Sequence, residues 1–523
     1  MSSGSDSPPV LYVLLALATA VYVVSWARPS KHSVGPITTS DSAEGSPLTS
    51  DVQLPDIPAI GPSAPLLSYY GVFKCLSNCR EMLQEGYDRY KGSVFKIPLP
   101  FHWHVIVSGP KLIEELRKAE EDELSFGEAV AATLQIDHTL GPEIHHNSYH
   151  IPIIRSQLTR NIGAVFSAVK DELSLAFNEI IPPSQEWTKV TALPTIMKVV
   201  SRTSNRVFVG LPTCQDPDYC ALNVQFAIDV VKGAIALNMF PKILRPLVKN
   251  FVTNVPATVA RCVKHLEPVI KERYRQLEEH GESWEDKPND MLMWLMEEAT
   301  GREKDVKALV MRILTVNFAA IHTSSMSFAH ALYRLAANPE YLAPMRDEVE
   351  SIVKSEGWTK AAMQKMRKVD SFLRECQRYY GLGPTSMTRL ALQDFQFSDG
   401  TRIPQGTFVS IAAEATHRDD NVYDEANQFN PWRFANLREE EGEGLKHQMV
   451  STSPQYTPFG HGKHACPGRF FAANELKAMM AHLVLTYDVK MEEEGVIPQS
   501  LRFFFNTTPN PKAEVLFRRR QMP

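Results

Sequence analysis

The chain has little of what several common protein classes require. Its seven cysteines are scattered over 523 residues, at Cys75, Cys79, Cys214, Cys220, Cys262, Cys376 and Cys466. An odd, widely spaced set does not make a disulfide framework. Cys75 and Cys79 have no second pair nearby that would complete a zinc site. A reducing compartment follows. Positive charge is not in excess: 55 Lys and Arg stand against 60 Asp and Glu, for a formal net charge of −5. That argues against nucleic acid as the main partner. No long low-complexity linker interrupts the chain beyond about residue 64, so one large domain fits better than the roughly three that length alone suggests. Apolar residues make up 44%, enough for a sizeable core.

Basic residues are also missing ahead of the apolar run at residues 10–26, in which only Thr19 and Ser25 are polar. About 17 residues is the short end of a spanning helix. Tyr22 and Trp26 lie near one end, where interfacial aromatics are favoured, and Arg28 and Lys31 follow, which sets the remaining chain in the cytosol. A cleaved signal would want a basic start and a small-residue cleavage site, whereas the first six residues carry only Asp6 as a charged side chain. The expectation is an N-terminal membrane anchor over 1–27, a Pro/Ser-rich linker over 28–63 and a single large domain over 64–523. The anchor and a cytosolic body imply a single-pass protein of the endoplasmic reticulum membrane.

Within the body, residues 79–91 read as a helix, and residues 93–100 and 104–108 as paired strands. Most later segments have helical period, so the fold class is mostly α with small β-sheets. Residues 126–148, rich in Gly, His and Thr, show no clear period. Residues 217–252 read as two helices broken near 238–241. Residues 305–336 contain neither proline nor glycine and are apolar on several faces, which predicts a long buried helix. Inside it, His322, Thr323, Ser324 and Ser325 are four consecutive polar side chains that need partners or a role. The structural alternative is hydroxyl back-bonding to the preceding turn. Glu375 and Arg378 are three apart on a predicted helix and share a face. Asp399-Gly400 is a hairpin signal.

The stretch that organises the chain is Pro458-Phe459-Gly460-His461-Gly462-Lys463-His464-Ala465-Cys466-Pro467-Gly468-Arg469. Gly460, Gly462 and Gly468 allow positive φ and close approach to a flat group. Lys463, His464, Arg469 and the backbone N–H groups are expected to favour a thiolate at Cys466, as is the N-terminus of the helix that follows.

This loop resembles the haem-ligand loop of cytochrome P450 monooxygenases. Three more segments resemble that family in the right order: residues 319–323, Glu375-x-x-Arg378, and Pro431-x-Arg433-Phe434. The resemblance spans about residues 55 to 515. It implies the cytochrome P450 fold and haem b (iron protoporphyrin IX), with the Cys466 thiolate as axial ligand, whose electron donation favours O–O cleavage. Phe459 and Gly460 would border the cofactor, and Arg155, Arg389 and His464 would hold its propionates. The family's usual Trp is replaced by Ile151, with His150 beside it as a substitute donor. Thr323 and His322 would deliver the protons that oxygen activation consumes. Here Ala320 stands for the usual glycine and His322 for the usual acid, and histidine titrates near neutral pH. Glu375, Arg378 and Arg433 would lock the scaffold behind the haem. Thr385, Ser386 and Met387, residues 126–148 and residues 503–509 would face substrate. The turn near 238–241 would border the substrate entrance at the membrane.

The function so implied is oxygen insertion into a hydrophobic small molecule, with electrons from NADPH-cytochrome P450 reductase. His461, Lys463, His464, Arg469 and Lys477 form the basic surface expected to meet that acidic partner. Residues 158–162, the 319–323 insert and the Cys loop further resemble fungal secondary-metabolism members, among them ent-kaurene oxidase-like enzymes, so a (di)terpenoid substrate is expected. The alternatives are a fatty acid, an indole or a polyketide, or a haem-binding sensor without turnover.

Overall fold

A computed structural model describes residues 54, 56–62, 68–100 and 102–521. The expected anchor and most of the linker lie outside the described residues. Helices dominate. Seven frame the site: α1 (Thr159–Ile180), α2 (Ala192–Phe208), α3 (Pro217–Asn238), α4 (Val255–His280), α5 (Val306–Ala337), α6 (Arg367–Tyr379) and α7 (Arg469–Thr486). The start of α3 shows how local chemistry sets a boundary. Asp216 accepts from the N–H groups of Asp218 and Tyr219, and Pro217 occupies the first turn, where its missing N–H costs nothing.

The long helix α5 runs through the middle of the domain and packs on α2, α3, α4, α6 and α7. Its two ends serve different cores. Leu309, Val310, Ile313 and Leu314 join an apolar cluster with α1, α3 and α4. Phe328, Leu332 and Leu335 join another with α1, α2, α6 and α7. The polar insert sits where these two clusters part. Both α3 and α5 are long and apolar enough to cross a membrane, yet both pack within the domain.

Among the described residues twelve short strands complete the fold: β1 (Val94–Leu99), β2 (His102–Val107), β3 (Leu124–Ser125), β4 (Thr188–Thr191), β5 (Ser386–Ala391), β6 (Phe395–Gln396), β7 (Arg402–Ile403), β8 (Phe408–Ile411), β9 (Tyr487–Lys490), β10 (Leu501–Phe503), β11 (Asn506–Thr508) and β12 (Glu514–Arg519). The main sheet has the order β1-β2-β8-β5-β3. Only β2–β8 is parallel. The early hairpin and the late strands are therefore one sheet. The Asp399-Gly400 signal is the turn joining β6 to β7, with Gly400 at φ +89°. Residues 126–148, expected to be irregular, are largely helical: Phe126–Leu134, Ile136–Thr139 and Pro142–His146. Helices of 9, 4 and 5 residues are too short to show a period.

Candidate active site

The Cys466 loop closes on itself through the backbone. The N–H of Cys466 donates to the Phe459 carbonyl at 2.8 Å, and that of Ala465 donates to Gly462 at 3.0 Å. Gly460 and Gly462 have φ of +68° and +77°, as the sequence predicts. Gly468 differs: its φ is −87°, an ordinary conformation at the start of α7, so it needs no glycine for backbone reasons. The thiol also departs from expectation. Burial pushes the Cys466 thiol up, and the N–H groups of Gly468 and Arg469 with the Arg469 guanidinium pull it back only in part. Lys463 and His464 do not act on it: His464 faces Glu121, and Lys463 is exposed. A bound metal cation reverses this balance, because a coordinating thiol loses its proton outright.

Behind the loop lies the expected charge triad. Arg378 grips Glu375 with two hydrogen bonds of 2.7 and 2.8 Å, and Arg433 Nε adds a third at 3.3 Å. The N–H of Asn430 donates to the same carboxylate at 3.0 Å. Arg378 spends its other donors on the carbonyls of His417, Ala426 and Gln428. His417 Nε2 in turn accepts the N–H of Thr457, one residue ahead of the loop. A second buried cluster was not anticipated. Lys477, expected on the reductase-facing surface, is buried and donates to Asp370 at 3.0 Å. Arg438 and the N–H of Met449 satisfy the same carboxylate. Lys477 therefore braces α7 on α6 and is withdrawn from any partner surface.

A cationic rim borders the loop. Arg389 on β5 is 3% exposed, donates to its neighbour's carbonyl at 2.9 Å and lies over the Phe126 ring, with no carboxylate at ion-pair distance among the described residues. Burial holds its pKa down to about 10. His464 Nε2 is 2.9 Å from Glu121, and its ring lies against Phe126. Arg155 donates to the Lys463 carbonyl at 3.2 Å and lies close enough to depress the basicity of both His464 and Arg469. The three predicted propionate-binding residues thus share one neighbourhood. His150 is not part of it: its Nδ1 is 3.0 Å from Arg312, in a buried cluster with Glu303. Ser386 and Met387 also depart from a substrate-facing role. Ser386 donates to the Thr457 carbonyl, and Met387 packs into the core of the sheet lobe.

On α5, Ala319 and Thr323 are accessible and lie one turn apart on one face, although neighbouring residues are buried. The Thr323 hydroxyl donates to the Ala319 carbonyl at 2.7 Å, and Ser325 back-bonds to Ile321. His322 turns toward α3, where its Nε2 meets the Val224 carbonyl at 2.9 Å. Burial lowers its basicity, so the ring is a neutral donor. Ser324 reaches a residue that sequence reasoning missed. Glu475 on α7 is fully buried, accepts from Ser204 at 2.7 Å and bonds Ser324, and burial raises its carboxyl to about 7. The available signal was a carboxylate within the mostly apolar 470–485 stretch.

The donor set fits an iron porphyrin. A buried guanidinium without a paired anion, joined by two further cations, suits the propionate edge. Cys466 is the one cysteine that is not buried, and the positive-φ loop ends with it just ahead of the first turn of α7. Residues 61–517 match the family model described as Cytochrome P450. The chain is 47% identical to cytochrome P450 monooxygenase 151 of Postia placenta over 468 residues, covering 89% of this chain and 94% of that one. It is 36% identical to cytochrome P450 monooxygenase CYP512U6 of Ganoderma lucidum, over 98% and 97% of the two chains. Among solved structures, the cytochrome P450DA haem domain shares the fold, with a TM-score of 0.67 at 18% identity, over 89% of this chain and 98% of that one. The family supplies haem with a cysteine thiolate as axial ligand, and the chain belongs to it: this is a cytochrome P450 monooxygenase.

Proposed function

We propose that this enzyme inserts oxygen from O2 into a (di)terpenoid intermediate of secondary metabolism, with electrons passed from NADPH by cytochrome P450 reductase. One observation carries the hydrophobic and membrane-borne part of this reading. Val231, Ile235, Met239, Ile243, Leu247 and Phe251 recur every four residues and are all exposed, Ile243 at 81%. These residues form an apolar stripe along the sequence, from α3 through the turn at 239–244 into the helix Arg245–Val252, and exposed apolar side chains in such number mark a surface that meets membrane or hydrophobic ligand. Tyr70 and Phe73, soon after the linker, are exposed as well. With an anchor over 1–27 and a linker over 28–63, the 64–523 domain would rest on the cytosolic face of the endoplasmic reticulum membrane and take substrate from it. The terpenoid assignment rests on the motif resemblance described above.

In this reading Cys466 ligates the haem iron, and Phe459 and Gly460 shape its loop. Arg155, Arg389 and His464 hold the propionates. Thr323 and His322 would manage protons: the Thr323 oxygen would accept, and His322 would exchange a proton at Nδ1 while Nε2–H stays on Val224. Replacing Thr323 by Ala should divert reducing equivalents to hydrogen peroxide by about 10-fold or more, read as peroxide released per NADPH consumed. Unchanged coupling would remove the hydroxyl from the mechanism. Substrate class is tested by supplying reductase, NADPH and 18O2 to the vesicle-bound enzyme with panels of terpenes, fatty acids, indoles and polyketides. A labelled terpenoid product is expected. A product from another panel alone, or no product from the terpene panel, would overturn the terpenoid assignment.

A further inference from the structure

The three short helices over the substrate side carry a cluster that the monooxygenase reading does not use. We propose that Asp137, His145 and His146 bind a divalent ion of the zinc class, with Glu128 as the outer partner that orients His145. This inference is independent of the substrate and proton roles above.

The geometry points to a metal in four respects. One ligand atom from each of Asp137, His145 and His146 lies within 4.8 Å of the others. His145 Nδ1 is 3.6 Å from Asp137 Oδ1. Two ligands bound tetrahedrally to zinc at about 2.0–2.2 Å are about 3.4 Å apart, so this pair is almost in place. His146 and Asp137 are exposed, and their side chains are free to close the rest. Second, the Nδ1 atom is buried and has no hydrogen-bond partner. Third, the other ring nitrogen, Nε2, is 3.2 Å from Glu128 Oε1. Metal-binding histidines are usually held this way, since a carboxylate on one nitrogen fixes the tautomer that presents the other as a lone pair. Fourth, the His145 and His146 rings lie side by side, with centroids 4.5 Å apart. Two imidazoles and a carboxylate form a donor set that suits zinc and its neighbours rather than calcium or magnesium.

The ligands and their outer partner come from separate elements: Glu128 from Phe126–Leu134, Asp137 from Ile136–Thr139, and both histidines from Pro142–His146. Gly141, at φ +99°, reverses the chain so that the last helix returns over the second. Helices this short have little stability of their own, so an ion here would staple the segment. The segment docks on the turn between the two helices that carry the exposed apolar residues, where Gln135 bonds Asn238 at 2.7 Å and Arg245 at 2.9 Å. Zinc binding would therefore stiffen the region beside the proposed substrate route.

The test uses untagged, EDTA-washed full-length holoenzyme dialysed against zinc chloride. Wild type should bind one ion more than an Asp137→Asn/His146→Ala double variant, and His146→Ala alone should weaken that site at least 10-fold. Glu128→Gln should weaken it about 10-fold. Zinc should slow amide exchange across residues 126–146 in wild type and leave the double variant unchanged. An unaltered haem spectrum confirms that each variant is folded. Equal zinc stoichiometry and affinity in wild type and double variant would overturn the proposal, as would no zinc bound by wild type.

Discussion

The scaffold behind Cys466 and a surface cap, made of the short helices over residues 126–146 and the neighbouring 231–251 segment, handle polar groups in opposite ways. Behind the cysteine, Glu375 and Arg378 have no exposure at all, and the Arg378 guanidinium is saturated by a carboxylate and three carbonyls. Over the cap, Asp137 and His146 are exposed, short helices succeed one another, and apolar side chains face outward. Behind the cysteine the carboxylates are buried and each is paired with cations, which suits a region that must hold a cofactor in one position. Accessible groups and weakly tied helices would suit a region that substrate passes, as proposed for the cap. Loss of a charge should then damage folding in the scaffold and only function at the cap.

The largest effect should come from Glu375→Ala. It leaves Arg378 buried without its anion and strips Arg433 of its own, a loss of about 3–5 kcal/mol. Denaturant unfolding of the holoenzyme should show a collapse in stability and in haem retention. A loss below about 1 kcal/mol would mean that the triad does not set the scaffold's rigidity, and the contrast with the cap would fail.

Glu475 belongs to the buried interior, where it ties α7 to α2 and to the polar insert of α5. Its carboxyl is raised to about 7 in the folded chain by burial and sits near 4.3 when unfolded. Between those values the folded state holds a proton that the unfolded state releases. Stability from this group is therefore complete below about pH 4 and is lost as pH rises to about 7, by up to about 3 kcal/mol. Glu475→Gln should remove this slope. Melting of wild type and variant should differ little at the acid end and diverge in the variant's favour at pH 8 (about). Parallel pH profiles would place the proton elsewhere.

What could be read from the sequence follows how far apart the partners lie. The Cys loop, Glu375-x-x-Arg378 and the long helix are local patterns, and their geometry stands much as expected. Lys477 was misassigned to the surface because its partner, Asp370, is 107 residues away. Glu475 was missed because Ser204 is 271 residues away. His150 was weighed as a haem-side donor because nothing local announces Arg312, which is 162 residues distant. Gly468 was credited with positive φ merely by lying in a glycine-rich loop. Periodicity also failed over residues 126–148, where each helix ends before a pattern can repeat. Spacing reveals which groups share a helix face, whereas the pairing of buried charges is decided by the tertiary fold.

At the rim between the regions, Arg389→Ala should leave the fold intact and loosen the cofactor. A charge-assisted contact of this kind contributes about 2 kcal/mol, which is about 30-fold in the rate of haem loss to an acceptor globin. Haem loss at the wild-type rate would show that Arg389 is buried for packing against Phe126 alone.

The smallest effect tests the cap itself. Ile243 and Leu247 are 81% and 68% exposed and belong to neither large apolar cluster of the domain. Exchanging both for Ser should therefore change the melting temperature by no more than about 0.5 kcal/mol of stability implies. If the stripe meets the membrane at the substrate route, the same exchange should raise the apparent KM for a hydrophobic substrate supplied in vesicles. Partial burial of two side chains at about 25 cal/mol per Å² corresponds to an increase of about threefold or more. The KM for the same substrate supplied in detergent micelles, and kcat in both cases, should stay as in wild type. That split separates a docking surface from a structural one, because a structural defect would lower kcat and shift the melt in either medium. A fall in stability of about 2 kcal/mol with no change in KM would assign the stripe to packing, and the cap would then resemble the scaffold it is contrasted with.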